Sequence, residues 1–372
     1  MHRLKSNWRR WVKRSLLAML CVFFGVTALN FFRLYVPLMR DVEISSSAGS
    51  TSANSGDVVR GRYALFTRPN GILEFPFCFG DRTFLYDIER DRYWEVSMTT
   101  GLKACSWEAY EGKDKIFCAD SLYVWASEYG GQDGYVDLKR ISLNAGKVEK
   151  LELGGVCPLA YSTWRDTLYY VKGSLRKETT SALYELSAGA TKGTKLWKGY
   201  ISSMAIFGDT LYWINPKTKE INLRDLRTGN TRIYKDLYDD AAVIREIDEN
   251  RFAVFYESGR VCVFQNGKGR DLCMLKRKFY TGDTVGCRDG ALFYEQAGKV
   301  KRMDCRTGAE TTLFDLGEIK ALQTFDWNSE NRPPVQVSYG EEYIFVAINQ
   351  GGRKPMIGVF DYAGRAVRIR KV

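Results

Sequence analysis

The chain has 372 residues, 45% hydrophobic and 27% charged, which suits a folded globular protein and excludes a largely disordered one. Its formal net charge is +11, but the excess sits at one end: residues 1–40 hold Arg3, Lys5, Arg9, Arg10, Lys13, Arg14, Arg33 and Arg40 and no Asp or Glu. The remainder is close to balance, so it lacks the basic footprint of a nucleic-acid binder and no nucleic-acid partner is expected.

Residues 1–14 read as a basic cytoplasmic stub. Leu16–Phe32 (LLAMLCVFFGVTALNFF) carries no charge. With its flanks it predicts a transmembrane signal anchor over 15–39, long enough to cross a hydrocarbon core of about 30 Å. The positive-inside rule then places everything after the span outside the cytoplasm, in a single-pass topology. The competing reading is a cleaved signal peptide with Val26-Thr27-Ala28 before the cut, which leaves a greasy mature start at Leu29. A lipoprotein reading of Cys21 is weaker, because Leu20 stands where a small residue is needed. Residues 40–60 include EISSSAGSTSANSGD, too poor in bulky apolar side chains to order itself, and read as a flexible tether.

From residue 61 to 372 the pattern repeats. A short aromatic or aliphatic run leads to an alternating strand, a Gly turn and another apolar run. LYVW (122–125), LYYV (168–171), LYWI (211–214), FAVFY (252–256), ALFYE (291–295) and YIFVA (343–347) open such units, and Gly146, Gly189, Gly229, Gly267, Gly308 and Gly364 mark their turns. Most steps are near 40 residues, with several short strands per step, which predicts an all-β fold: a β-propeller of four-stranded blades following the transmembrane helix. Residues 61–98 read as a divergent unit, so about seven blades are expected, with six or eight open. Trp125, Trp213, Tyr170 and Tyr294 recur at one place in the unit and are expected to pack between blades.

LYWINPKTKEINLRDLRTGNTRIY (211–234) resembles a repeat of the YWTD-type propellers of lipoprotein-receptor ectodomains. LYYVKGS with ALYELSAGATKGTKLW is similar to their bacterial relatives, a family without an established activity. The resemblance covers roughly 100–372 and implies the fold. It leaves function open. It departs after Tyr212-Trp213, where Ile214-Asn215 stands in place of the motif's Thr-Asp.

Site candidates follow from what breaks the period. SEYGGQDGYVD (127–137) and DWNSENRPPVQVSY (326–339) are polar insertions, where rigid scaffolds place their contacts. Tyr129, Asp133, Tyr135, Trp327 and Glu330 are the candidate binding residues. Asp225, Asp304 and Asp361 precede turn glycines and read as turn formers rather than calcium ligands. Two cysteine pairs have hairpin spacing, Cys105 with Cys118 and Cys262 with Cys273, and are candidate disulfides in an exported domain. The only histidine is His2, so the outer domain holds no Ser-His-Asp triad, Cys-His pair or histidine-ligated zinc. No catalytic residue, metal or cofactor is assigned.

The leading expectation is a non-catalytic binding or scaffold module for an envelope protein, peptide or glycan. The alternatives are a propeller hydrolase or lyase on an extracellular saccharide or ester, using carboxylates or an Asp/Glu-held metal, and a Golgi-type lumenal enzyme. A hydrolase requires two or more carboxylates gathered near the channel. The chain has no Asn-x-Ser/Thr site, which weighs against the lumenal enzyme.

Overall fold

The computed structural model describes residues 11–25 and most of 59–371. Outside the description lie 1–10, 26–58, 69–81, 96–114, 127–135, 143–147, 174–180, 235–239, 330–334 and 349–355, with a few single or paired turn positions and residue 372. Residues 11–25 form an α-helix whose described side chains are all exposed, Leu17, Met19 and Val22 among them. No helix among the described residues is long and apolar enough to cross a membrane. The expected anchor over 15–39 lies partly outside the description.

Every sheet is antiparallel, and strands pair in the order they occur in the chain. The first sheet holds Val59–Arg60, Tyr63–Arg68, Arg82–Asp87 and Arg92–Glu95. It begins inside the expected tether, because Val59 and Arg60 pair with Ala64 and Tyr63 across a tight turn. Four more four-stranded sheets span 203–234, 241–274, 286–315 and 335–371. The remaining sheet has seven strands, from Lys115–Cys118 to Thr194–Lys198.

Among the described residues six sheets therefore stand where about seven units are expected, and the long strand Val148–Trp164 joins two hairpins in one sheet. Val148–Trp164 pairs by its first half with Val136–Ser142, from Val148 opposite Ile141 to Val156 opposite Val136. Its second half pairs with Thr167–Lys172, ending with Trp164 opposite Thr167. No turn intervenes. The register slips between Cys157 and Tyr161, around Pro158, which has no N–H to give to a ladder.

The turns follow local chemistry. Asp289 (φ 50°) and Gly290 (φ 70°) join Arg288 to Ala291 in a two-residue hairpin, the geometry that positive φ at both positions requires. Asp225 Oδ1 accepts the N–H groups of Arg227 and Thr228 at 2.8 and 2.9 Å, and Asp304 repeats this with Arg306 and Thr307. Backbone donors hold both carboxyls below their usual range. They are turn formers, as is Asp361, which accepts from Ala363 and Arg365.

The core lies between sheets. Leu211 and Trp213 pack on one side of their strand with Tyr169, Val171 and Leu183 of the preceding sheet. Tyr212 and Ile214 pack on the other side with Ile244, Phe252 and Val254 of the next sheet. Successive side chains point to opposite faces and both faces are covered, so the strand reads as a continuous apolar run rather than an alternation. Trp213, Tyr170, Tyr256 and Tyr294 are among the largest fully buried side chains. Val148–Trp164, the middle strand of its sheet, packs beside Ser203–Phe207, the first strand of the next; that strand packs against Ala241–Asp248, and the first strands Gly286–Arg288 and Val335–Tyr339 continue the series.

The last sheet returns to the first. Gln336 donates to the Leu65 carbonyl at 3.2 Å, and Arg368 donates to the Ile88 carbonyl at 2.8 Å. Arg370 reaches Asp91 Oδ1 at 2.6 Å, and the rings of Tyr86 and Phe345 lie 6.2 Å apart. This contact between chain ends is what a ring of blades needs to close.

Candidate functional site

The residues chosen from sequence do not form a described site. Tyr129, Asp133, Tyr135 and Glu330 lie outside the described residues, as does Cys105. Cys118 is described only as the end of strand Lys115–Cys118.

Trp327 is described, and it is core. Its exposure is 8%, and it packs with Val300, Leu316, Leu322 and Ile344. Its ring lies over Gly298, where an added Cβ would come within 2.5 Å of it. Trp327 thus packs onto the turn after Gln296. A platform exposed to ligand is therefore excluded for this residue.

Cys262 and Cys273 are free thiols. The register shifts between Val261 and Cys262, placing Cys273 opposite Val261 and Cys262 opposite Asp271. The two side chains then serve different cores. Cys262 packs with Phe252 and Phe264, and Cys273 packs against the cluster holding Leu292 and Met303. Burial pushes both thiols up, to about 12 for Cys262, whose Sγ also donates to Asp271 at 2.9 Å, and about 11 for Cys273. Equal hairpin spacing does not bring them face to face once the bulge changes the parity.

A site that sequence reading missed lies at one end of the sheets. In a four-stranded meander the first and third turns share an end. Between sheets 203–234 and 241–274, that end opens into a cavity of about 310 Å³. Tyr212, Asp225, Asn230, Arg232, Tyr234 and Asn250 line it. Tyr212 forms part of the floor, its ring 5.2 Å from that of Phe252, and burial pushes its phenol up to about 12. Amide, carboxylate, guanidinium and phenol groups converge over aromatic carbon. That arrangement suits a polar ligand held by hydrogen bonds and ring contact. Its residues come from three turns and two sheets, each with an ordinary turn composition, so no local motif marks them.

Among the described residues the buried carboxylates are Asp87, Glu246 and Glu295. Asp87 lies 3.4 Å from Arg62 Nε, and Glu295 accepts the Gly298 N–H at 2.8 Å. Glu246 is on Ala241–Asp248, the first strand of its sheet, 3.6 Å from Arg245. Burial pushes its carboxyl up to about 7, against the pull of Arg245. Each buried acid thus has a basic or backbone neighbour of its own. Among the described residues no group of three or more His, Cys, Asp or Glu is placed to hold a metal ion.

No protein-family model matches the chain, and the comparison with curated proteins returns no match. Solved structures do resemble it. A puromycin-hydrolyzing peptidase from Mycobacterium tuberculosis is 13% identical, with a TM-score of 0.56 over 87% of this chain and 54% of that one. A prolyl endopeptidase is 10% identical, with a TM-score of 0.50 over 87% and 50% of the two chains. The WD40 β-propeller domain of Doa1 is 12% identical, with a TM-score of 0.47 over 70% and 82%. The chain thus spans about half the length of the two peptidases. At these identities the likeness concerns fold alone. The sheet topology itself, successive antiparallel meanders with the last sheet meeting the first, is that of an all-β protein of the β-propeller type.

Proposed function

We propose that the protein is a non-catalytic binding or scaffold module, displayed outside the cytoplasm by a single span over 15–39, for an envelope protein, peptide or glycan. The observation that carries this reading is the cavity around Tyr212, Asn230 and Asn250: polar groups from separate turns, held by two rigid sheets. Pre-set turns of this kind lose little freedom on binding. A hydrolytic reading needs paired carboxylates, whereas the charged neighbour of the buried Glu246 is Arg245, 3.6 Å away. The anchor is supported by the exposed Leu16, Leu17, Met19, Val22 and Phe24 on helix 11–25, an apolar surface that water does not favour. We read the seven-stranded sheet as two blades sharing Val148–Trp164, which gives seven repeat units of the YWTD-like type in six sheets.

The test is crosslinked partner capture from the native membrane, using the full chain and a variant carrying Asn230→Ala and Asn250→Ala. The wild type is expected to enrich a defined envelope component over an anchor-only control, and the variant to lose it. Equal recovery by all three would sink the reading.

A further inference from the structure

A second cavity, of about 760 Å³, opens where sheet 241–274 meets sheet 286–315. Arg251, Lys268, Arg270 and Arg306 line it, and no carboxylate does. Arg251 is matched already, its Nε 2.6 Å from Asp248. Arg270 donates to the Arg306 carbonyl at 3.2 Å, which leaves its charge uncompensated. Among the described residues no salt bridge reaches Lys268, Arg270 or Arg306; Arg306 feels only the more distant charge of Asp304, whose Oδ1 accepts its backbone N–H at 2.9 Å. Other bases on or beside the same sheets are matched: Arg260, Arg277, Lys299 and Lys301 each face a carboxylate within 3.5 Å, although among the described residues Lys276, Lys278 and Arg302, outside the cavity, do not.

This concentration does not follow from composition, because charge is close to balance after Arg40. Like charges gathered around one concave site repel, and they focus a positive potential into it. Val263 and Cys305 give the cavity a low-dielectric wall, which strengthens that field. Guanidinium forks and an ammonium are the groups that recognise tetrahedral oxyanions. The volume falls within the ~300–1,000 Å³ of small-ligand sites.

We propose that this cavity binds a small phosphorylated anion carrying at least two negative charges, with Lys268 and Arg270 contributed by one sheet and Arg306 by the next. The ligand would bridge two neighbouring sheets. The site adjoins the polar cavity through Asn266, which lines both, but its charge is distinct from it.

Titration calorimetry of the full detergent-solubilised chain with inorganic pyrophosphate tests this. Expected are saturable one-site binding, weakening as salt is raised, and a loss of about tenfold or more in the Lys268→Gln/Arg306→Gln double variant. Arg365→Gln, at an exposed turn elsewhere, should leave binding unchanged. Glycerol phosphate serves as a soluble headgroup probe. Tighter binding of pyrophosphate assigns the site to a soluble phosphate, tighter binding of glycerol phosphate to a phospholipid headgroup, and either supports it. No saturable binding of either probe, or equal binding by wild type and double variant, overturns it. Partner capture reads a different surface, so the two proposals can fail separately.

Discussion

At the residue scale, burial sets the chemistry of Glu246 and of the cysteines. The Glu246 carboxyl is raised from 4.5 to about 7 in the folded protein. The folded state therefore holds this proton more tightly than the unfolded state does. That contribution to stability is full below the unfolded value and is lost as pH rises through about 7. Denaturant unfolding of wild type and Glu246→Gln should show it: the wild type gains on the variant by roughly 2 kcal/mol between pH 8 and 5. A pH-independent difference would contradict it. Trp213 is fully buried between sheets. Trp213→Ala should cost about 3 to 5 kcal/mol with no specific effect on ligand binding, a result that separates packing from recognition. For Cys262 and Cys273, peptide mapping without reductant should find no linked pair, since their side chains serve different cores.

At the element scale, turns hold what the sheets leave open. Gly298 adopts φ 77° under the Trp327 ring, so a side chain there meets both backbone strain and a clash at 2.5 Å. Gly298→Ala should destabilise by about 1 to 3 kcal/mol in denaturant unfolding, because the new methyl displaces the Trp327 ring; an unchanged midpoint would contradict it. The repeat itself was legible. The expected strands around Leu211, Phe252 and Ala291 all appear, since their apolar runs and Gly turns are local signals. The single strand Val148–Trp164 was not, because the repeat pattern places the end of one unit and the start of the next within it, while its two halves pair with different hairpins. The candidate cavity was not legible either. Asp225, Asn230 and Asn250 carry ordinary turn chemistry, and only the packing of neighbouring sheets brings them together.

At the scale of the whole molecule, the first and last sheets meet through Asp91, which accepts from Arg370 at 2.6 Å and from the Tyr86 hydroxyl at 2.8 Å. These groups are partly exposed, so Asp91→Asn, which tolerates the same positive φ, should cost only about 1 kcal/mol. Removing the final strand, Ala366–Lys371, takes away Arg368 and Arg370 together. Its loss should broaden the unfolding transition, because the end sheets no longer support each other. The proposed membrane attachment is tested separately. Carbonate extraction should leave the full chain in the pellet, and release into the supernatant would rule out an intact span.

By itself, the sequence determined the all-β repeat, the apolar segment near the N-terminus and the absence of histidine chemistry beyond His2, because each is written in period, run length or residue type. Tertiary structure alone decided the rest: the seven-stranded sheet built around Val148–Trp164, the burial of Trp327, the separation of Cys262 from Cys273, and the two cavities between sheets. These depend on register and on which surfaces meet. A one-residue bulge or a missing turn changes both while leaving the local pattern almost untouched.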